Sequence, residues 1–401
     1  MPGPLHGVIV ADLSQNVAGP FCTQILGDMG ADVIKVERPG KGDDARAWAP
    51  PFWGAESATF MALNRNKRGL ALDVKSEAGL EVLGRLVARA DVFVQSLRAG
   101  VVEAMGFGYE RVRALNPRLI YCAVTAYGLK GPLRDLPGYD PLMQAYAGLM
   151  SVNGHPGQPP ARVGTSIVDM GTGMWAAIGI LGALRERDRT GRGAQVTTAL
   201  FDTALMWVCY HLMGYLGSGE VPVPHGSGSS MIVPYEAFPT ADGHLMIAAG
   251  SDALFVKACD ALGLPELAQD PRFADNTSRV RNRVALFDRI AQVTRREGGA
   301  ALLERLRRVG VPCSPILTLD QVAAEPQTAA SGMLIPSAHP RLPNFRSVGL
   351  PILWDGARPP VARVSPLVGE HSAEILEWLG YGPDERRRLV EQGAVQLGNA
   401  S

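Results

Sequence analysis

A carboxylate set between an apolar run and a pair of glycines is the residue in this chain best suited to covalent chemistry. Asp169 follows Ser166-Ile167-Val168 and precedes Gly171-Thr172-Gly173, where a helix is expected to begin. Free backbone N–H groups and the positive end of the helix dipole would keep a carboxylate there ionised. The flanking glycines would let a ligand or another chain come close. The plain alternative is a helix-capping aspartate, worth ~1 kcal/mol of stability and no chemistry. Local sequence alone favours the cap.

Other chemistries lack their residues. No G-x-G-x-x-G follows the first strand pattern, and there is no Walker A loop. The segment Gly226-Ser227-Gly228-Ser229 does not complete a G-x-S-x-G pattern. No H-E-x-x-H or other close metal-ligand spacing occurs. The five cysteines, Cys22, Cys122, Cys209, Cys259 and Cys313, are scattered without a C-x-x-C pair, so they are expected to be structural thiols. Neither a metal nor a permanently bound cofactor is expected.

The elements that must position Asp169 can be read from hydrophobic patterning. Apolar runs over residues 8–13, 31–37, 70–74, 91–95, 119–124 and 194–198 predict strands. Helical stretches near 18–29, 76–89, 171–187 and 201–215 alternate with them. This alternation predicts an α/β, Rossmann-like, doubly wound parallel sheet, whose ligands sit beyond the carboxyl ends of the strands. A stretch rich in Gly, Ser and Pro over 217–230 separates a large domain, 1–216, from a smaller α+β domain, 231–330. Residues 331–401 form a tail expected to return to the large domain.

Of 401 residues, 46% are hydrophobic and 19% charged, a composition that suits two domains with real cores. Lysine plus arginine number 39, as do aspartate plus glutamate, so no global field favours nucleic acid or a membrane surface. The N-terminus lacks a signal-peptide pattern and no apolar run of membrane-span length is read, so a cytoplasmic protein is expected.

Ordered motifs along nearly the whole chain resemble the family III coenzyme A transferases, the CaiB/BaiF family. They include Asp12-Leu13-Ser14 with Ala18-Gly19-Pro20, the run from Gly30 to Glu37, and Asn64-Arg65-Asn66-Lys67-Arg68. Met105-Gly106-Phe107-Gly108-Tyr109, Gly138-Tyr139-Asp140 and Thr190-Gly191-Arg192-Gly193 continue the series. Gly42-Asp43-Asp44-Ala45-Arg46-Ala47-Trp48 and Ile232-Val233-Pro234-Tyr235-Glu236-Ala237-Phe238 are most like the succinyl-CoA-dependent enzymes acting on dicarboxylates such as glutarate or hydroxymethylglutarate.

The resemblance implies that Asp169 carries first the acyl group, as an anhydride, and then CoA, as a thioester. It places Arg38 against CoA, with Lys75 and Arg98 as further cations and Ala18, Asp73, Ser96 and Tyr139 as other contacts. Gly226, Gly228 and Gly250 would belong to a loop closing over the site. Val17, Arg46 and Tyr235 are the candidates for the substrate acid. Val17 stands where the oxalate enzymes carry glutamine, Ser96 replaces a frequent asparagine, and Ala104 replaces an arginine used towards CoA. The implied assembly is an interlocked homodimer. Two rival readings are an α-methylacyl-CoA racemase, which would place a histidine where Tyr139 stands, and a non-catalytic acyl-CoA-binding protein, which would have no use for Asp169.

Overall fold

The computed structural model describes residues 3–398. The chain divides into two units. The first contains the residues up to Ala147, Gly164–Cys209 and the residues from Pro326 onward; the second contains Gly148–Val163 and Tyr210–Glu325. Residues 148–163 and 210–216, read from sequence as parts of the large domain, thus pack with the smaller unit. The boundary falls inside the helix Cys209–Ser218, where composition does not change.

The first unit is built on strands β1 (Ile9–Leu13), β2 (Asp32–Glu37), β3 (Lys67–Leu72), β4 (Val92–Gln95), β5 (Ile120–Thr125) and β6 (Gln195–Ala199). They lie in the order β3-β2-β1-β4-β5-β6, all parallel. A seventh strand, Val395–Gln396, adds antiparallel to the outer edge of β3. Parallel strands covered on both faces are predominantly apolar, as β4 and β5 are, while β1 and β2 also carry the buried charges Asp12, Lys35 and Glu37. The third strand begins three residues earlier than its apolar run suggests, because Lys67 is charged yet wholly buried.

Helices α1 (Ala18–Asp28), α2 (Glu77–Arg89), α3 (Asp140–Tyr146), α4 (Ile167–Thr190) and α5 (Leu200–Trp207) belong to this unit. In α2 the buried stripe Val82, Leu83, Leu86 and Val87 recurs at helical spacing. The Ser76 hydroxyl caps it, accepting the Gly79 N–H at 3.1 Å. The tail adds Ile375, Leu376, Leu379 and Val395 to the same core. By length and composition α4 could cross a membrane. Its buried residues Val168, Thr172, Ala176 and Ile180 instead recur at core-helix spacing.

The order reverses between β1 and β4: from β1 the chain first builds outward through β2 and β3, then crosses back to β4. Doubly wound sheets bind ligands at this switch point, in the crevice beyond the strand ends. The residues after β1 and β4 are therefore fixed in place by topology alone.

The second unit carries a three-stranded antiparallel sheet, β7 (Tyr235–Thr240), β8 (Gly243–Ala248) and β9 (Cys313–Pro315), with β8 central. Phe238, Leu245 and Ile247 pack with Phe255, Leu286, Leu302 and Leu306 from its helices. Buried Arg279 ties this unit together, donating to the carbonyls of Val233 at 2.8 Å and Phe273 at 3.2 Å.

Candidate active site

A cleft opens at the switch point of the first unit. Gln15, Asn16, Val17 and Ala18 line it after β1, and Ser96, Leu97 and Arg98 after β4. Thr125 ends β5 and Leu200 opens α5, and Trp48, Arg134, Tyr139 and Asp169 complete the ring.

Asp169 reaches this cleft from the first turn of α4, which begins at Ile167, four residues before the expected start. It is not the cap. The aspartate that caps the helix is Asp140, the first residue of α3. Its Oδ2 accepts the N–H groups of Val168 at 2.7 Å and Asp169 at 3.2 Å, while Oδ1 accepts from Gln144 Nε2 at 2.5 Å. Buried Asp140 thus takes the amides that sequence reasoning assigned to Asp169. The Asp169 carboxylate has no hydrogen-bond or ion-pair partner among the described residues.

The expected ionisation of Asp169 is corrected accordingly. Burial, reinforced by the Asp140 charge, pushes its carboxyl up to about 7. The helix dipole favours the anion, but partial charges at a helix end do not offset desolvation beside a second carboxylate. Gly171 and Gly173 also serve another purpose than ligand access. A Cβ at Gly173 would lie 2.5 Å from the Ala18 carbonyl oxygen, and one at Gly171 2.6 Å from the Trp207 ring. Both glycines let α4 pack closely on α1 and α5, which brings Asp169 beside the β1 loop.

That loop is fixed from below. Lys35 Nζ bonds the Ser14 carbonyl at 3.1 Å and Asp43 Oδ2 at 2.9 Å. Asp43 Oδ1 accepts the Asn16 N–H at 3.1 Å, and Ser96 Oγ accepts the Gln15 N–H at 2.9 Å. Ser96 therefore has a structural task in the cleft wall.

Of the residues singled out from sequence, Asp169, Val17, Ala18, Ser96, Arg98 and Tyr139 come together in the cleft. Tyr139 is exposed. Arg38 follows β2, donates to the Gly42 carbonyl at 3.1 Å and pairs with Asp44. Asp73 and Lys75 follow β3, joined by a 3.1 Å bond from the Lys75 N–H to Asp73 Oδ1. These three lie at the same carboxyl edge of the sheet but outside the lining around Asp169.

Arg46 is not available to a substrate acid. Its Nε and Nη2 grip Glu37 at 2.8 and 2.7 Å, Nη2 also bonds the Pro366 carbonyl at 2.8 Å, and the guanidinium stacks on Phe60 at 3.7 Å. Buried Glu37 takes its charge, and the Pro366 carbonyl in the tail takes a third donor out of its five N–H groups. Gly226, Gly228, Gly250 and exposed Tyr235 belong to the second unit. Gly250 is packed rather than open, since a Cβ there would meet Ile232 at 2.5 Å.

Sequence reasoning missed Gln15, Asn16, Trp48, Thr125, Arg134 and the role of Asp140. Position beyond the strand ends was the available signal for Gln15, Asn16 and Thr125. Among the described residues no cluster of His, Cys, Asp and Glu could hold a metal ion.

A parallel sheet with the Rossmann order places the unpaired Asp169 carboxyl at its switch point, where doubly wound sheets bind their ligands. The comparisons with known proteins specify the chemistry. The model of CoA-transferase family III matches residues 5–372. Succinyl-CoA:glutarate CoA-transferase of Homo sapiens is 36% identical over 393 residues, 98% of this chain and 90% of its own length. Acetyl-CoA:oxalate CoA-transferase of Acetobacter aceti is 39% identical over 343 residues, covering 85% and 88% of the two chains. The crystal structure of a CAIB/BAIF family protein from Brucella suis is similar with a TM-score of 0.85 at 39% identity, over 94% of this chain and 100% of that one. The chain belongs to CoA-transferase family III and is a CoA-transferase.

Proposed function

We propose that the enzyme moves CoA from succinyl-CoA to a dicarboxylic acid through covalent intermediates on Asp169. The observation that carries this reading is the unpaired Asp169 carboxyl in the switch-point cleft, with its pKa raised to about 7. The carboxylate attacks the thioester carbonyl carbon, the C–S bond breaks, and CoA leaves as thiolate, with the acyl group left on Asp169 as a mixed anhydride. The thiolate then attacks the aspartyl carbonyl, freeing the donor acid and leaving an aspartyl-CoA thioester. The acceptor carboxylate repeats the sequence in reverse, and the Asp169 carboxylate is restored with no net proton or electron change.

Burial beside Asp140 suits this route. It disfavours the Asp169 anion and leaves the neutral acyl and thioester forms untouched. Each unit of raised pKa is about 1.4 kcal/mol of bias toward a neutral form. The dicarboxylate assignment rests on relatives such as the succinate–glutarate CoA-transferase of Agrobacterium fabrum, 37% identical over 379 residues. Arg98 and Arg134 are the cations of the cleft lining, and they suit the distal carboxylate or the CoA phosphates.

The test is trapping. Enzyme mixed with succinyl-CoA and then borohydride or hydroxylamine is expected to yield a modified Asp169 peptide by mass spectrometry. CoA bound tightly to a chain whose Asp169 peptide stays unmodified would remove the mechanism and leave a binding protein. We propose in addition that two chains assemble, since Met174, Trp175 and Ile178 leave an apolar face of α4 exposed. A monomer mass by light scattering, with full activity, would remove that part.

A further inference from the structure

Several buried polar side-chain atoms have no hydrogen-bond partner among the described residues, and the one in the cleft lining is Asn16 Oδ1. A buried acceptor without a donor costs about 1–3 kcal/mol. Each such atom in a native structure calls for an explanation, and a bound ligand is one. The backbone around Asn16 is unusual as well. Its φ of 67° lies in the left-handed region, which asparagine enters more readily than most residues.

This conformation is held firmly. Asp43 accepts the Asn16 N–H, and Asp43 is itself locked by buried Lys35. Ser96 holds the preceding amide. The fold thus fixes the Asn16 main chain from both sides yet gives its side-chain oxygen nothing. Helix capping does not explain the residue, since α1 has Val17 as its N-cap and no side-chain cap bond.

We propose that Asn16 is a ligand-contacting residue whose side-chain oxygen accepts a hydrogen bond from the substrate bound beside Asp169. This rests on the reading of the cleft as the site of CoA transfer. A modest rotation about the terminal torsion, which is broad for an amide, turns Oδ1 toward the cleft. The ligand must bring an N–H or O–H. Beside Asp169, where the thioester reacts, two sources lie nearest: the pantetheine arm of CoA, through an amide or its hydroxyl, or a hydroxyl carried by the substrate acid.

Asn16→Gly is the informative variant, because glycine takes φ near 67° without strain, and Asn16→Ala is its companion. Deleting an unpaired buried oxygen should leave the urea midpoint unchanged or raise it. Loss of a pantetheine contact would weaken free CoA binding about tenfold by calorimetry and lower kcat/KM equally for every acid. Loss of a hydroxyl contact would leave CoA binding intact and lower kcat/KM about tenfold for malate or citramalate, but not for succinate or methylsuccinate. Either result supports the proposal and identifies the donor. Unchanged binding and unchanged kcat/KM for all acids in both variants would overturn it, as would a lowered midpoint with no kinetic effect. Trapping of Asp169 in the wild-type enzyme is scored separately, so failure of the covalent mechanism is not mistaken for failure here.

Discussion

Asp169→Asn is expected to lose CoA transfer by at least about 10³-fold and, at pH 8, to be more stable than the wild type. The activity loss follows from removing the proposed nucleophile, for which neighbouring groups do not substitute. The stability gain follows from the raised pKa. The carboxyl goes from an ordinary value of 3.8 to about 7 through burial and the Asp140 charge. Between those values the folded chain holds a proton that the unfolded chain has released. The contribution of this group is therefore fully present below about pH 4 and is lost as pH rises to about 7, above which the loss is constant. Three units would correspond to about 4 kcal/mol, and partial exposure to the cleft reduces this to roughly 2 kcal/mol. Neutral, nearly isosteric asparagine escapes the loss. Urea midpoints of the two proteins should differ at pH 8 and converge toward pH 4. The wild-type kcat/KM should rise with pH through about 7, because only the ionised carboxylate attacks. A stability gap independent of pH, or a flat rate profile across that range, would show that Asp169 is not the strained carboxylate described.

The sheet was legible because a parallel strand buried on both faces announces itself as an apolar run. Val92–Gln95 and Ile120–Thr125 were found within a residue on that ground. The misses have a common cause. The start of β3 was misplaced because Lys67 is buried, and only its partner Asp12, 55 residues earlier, makes that tolerable. Asp140 went unrecognised because the amides it caps lie 28 and 29 residues further along. Arg46 was assigned to substrate because its pairing with Glu37, nine residues before, depends on how the chain turns after β2. Local pattern thus located the sheet and the loops that line the cleft, the family resemblance singled out Asp169, and charge partners set by tertiary packing decided how each group is ionised and which are free. For that reason the corrections fall on Asp169, Arg46 and the glycines after Asp169, and not on the strand order.

The second large effect concerns the buried charges under the cleft. Asp12, Lys35, Asp43 and Lys67 are all buried, in two ion pairs of 2.9 and 3.1 Å. Burial acts to raise the Asp12 pKa, but Lys67, Lys35 and two hydroxyl donors outweigh it and leave it lowered. Burial pushes Lys67 down to about 8 even with Asp12 beside it. Such a cluster is weak as a source of stability but costly to break, since a remaining charge has no water to turn to. Asp12→Ala is therefore expected to lower unfolding stability by about 3–5 kcal/mol. Removing the orphaned charge should recover part of it: Asp12→Ala combined with Lys67→Met should lose less than the sum of the single changes. Additive losses would mean that the two groups do not interact as the 3.1 Å contact indicates. The cluster also reaches the site. Lys67 bonds the Pro20 carbonyl at 2.9 Å, and Asp12 accepts the Ser14 N–H at 3.0 Å and the Thr23 hydroxyl at 2.6 Å. These contacts fix the chain from Ser14 to Thr23, which carries Asn16, Val17 and Ala18 into the cleft. The double variant should thus regain stability while kcat/KM stays low, because methionine and alanine restore packing but not the position of the loop.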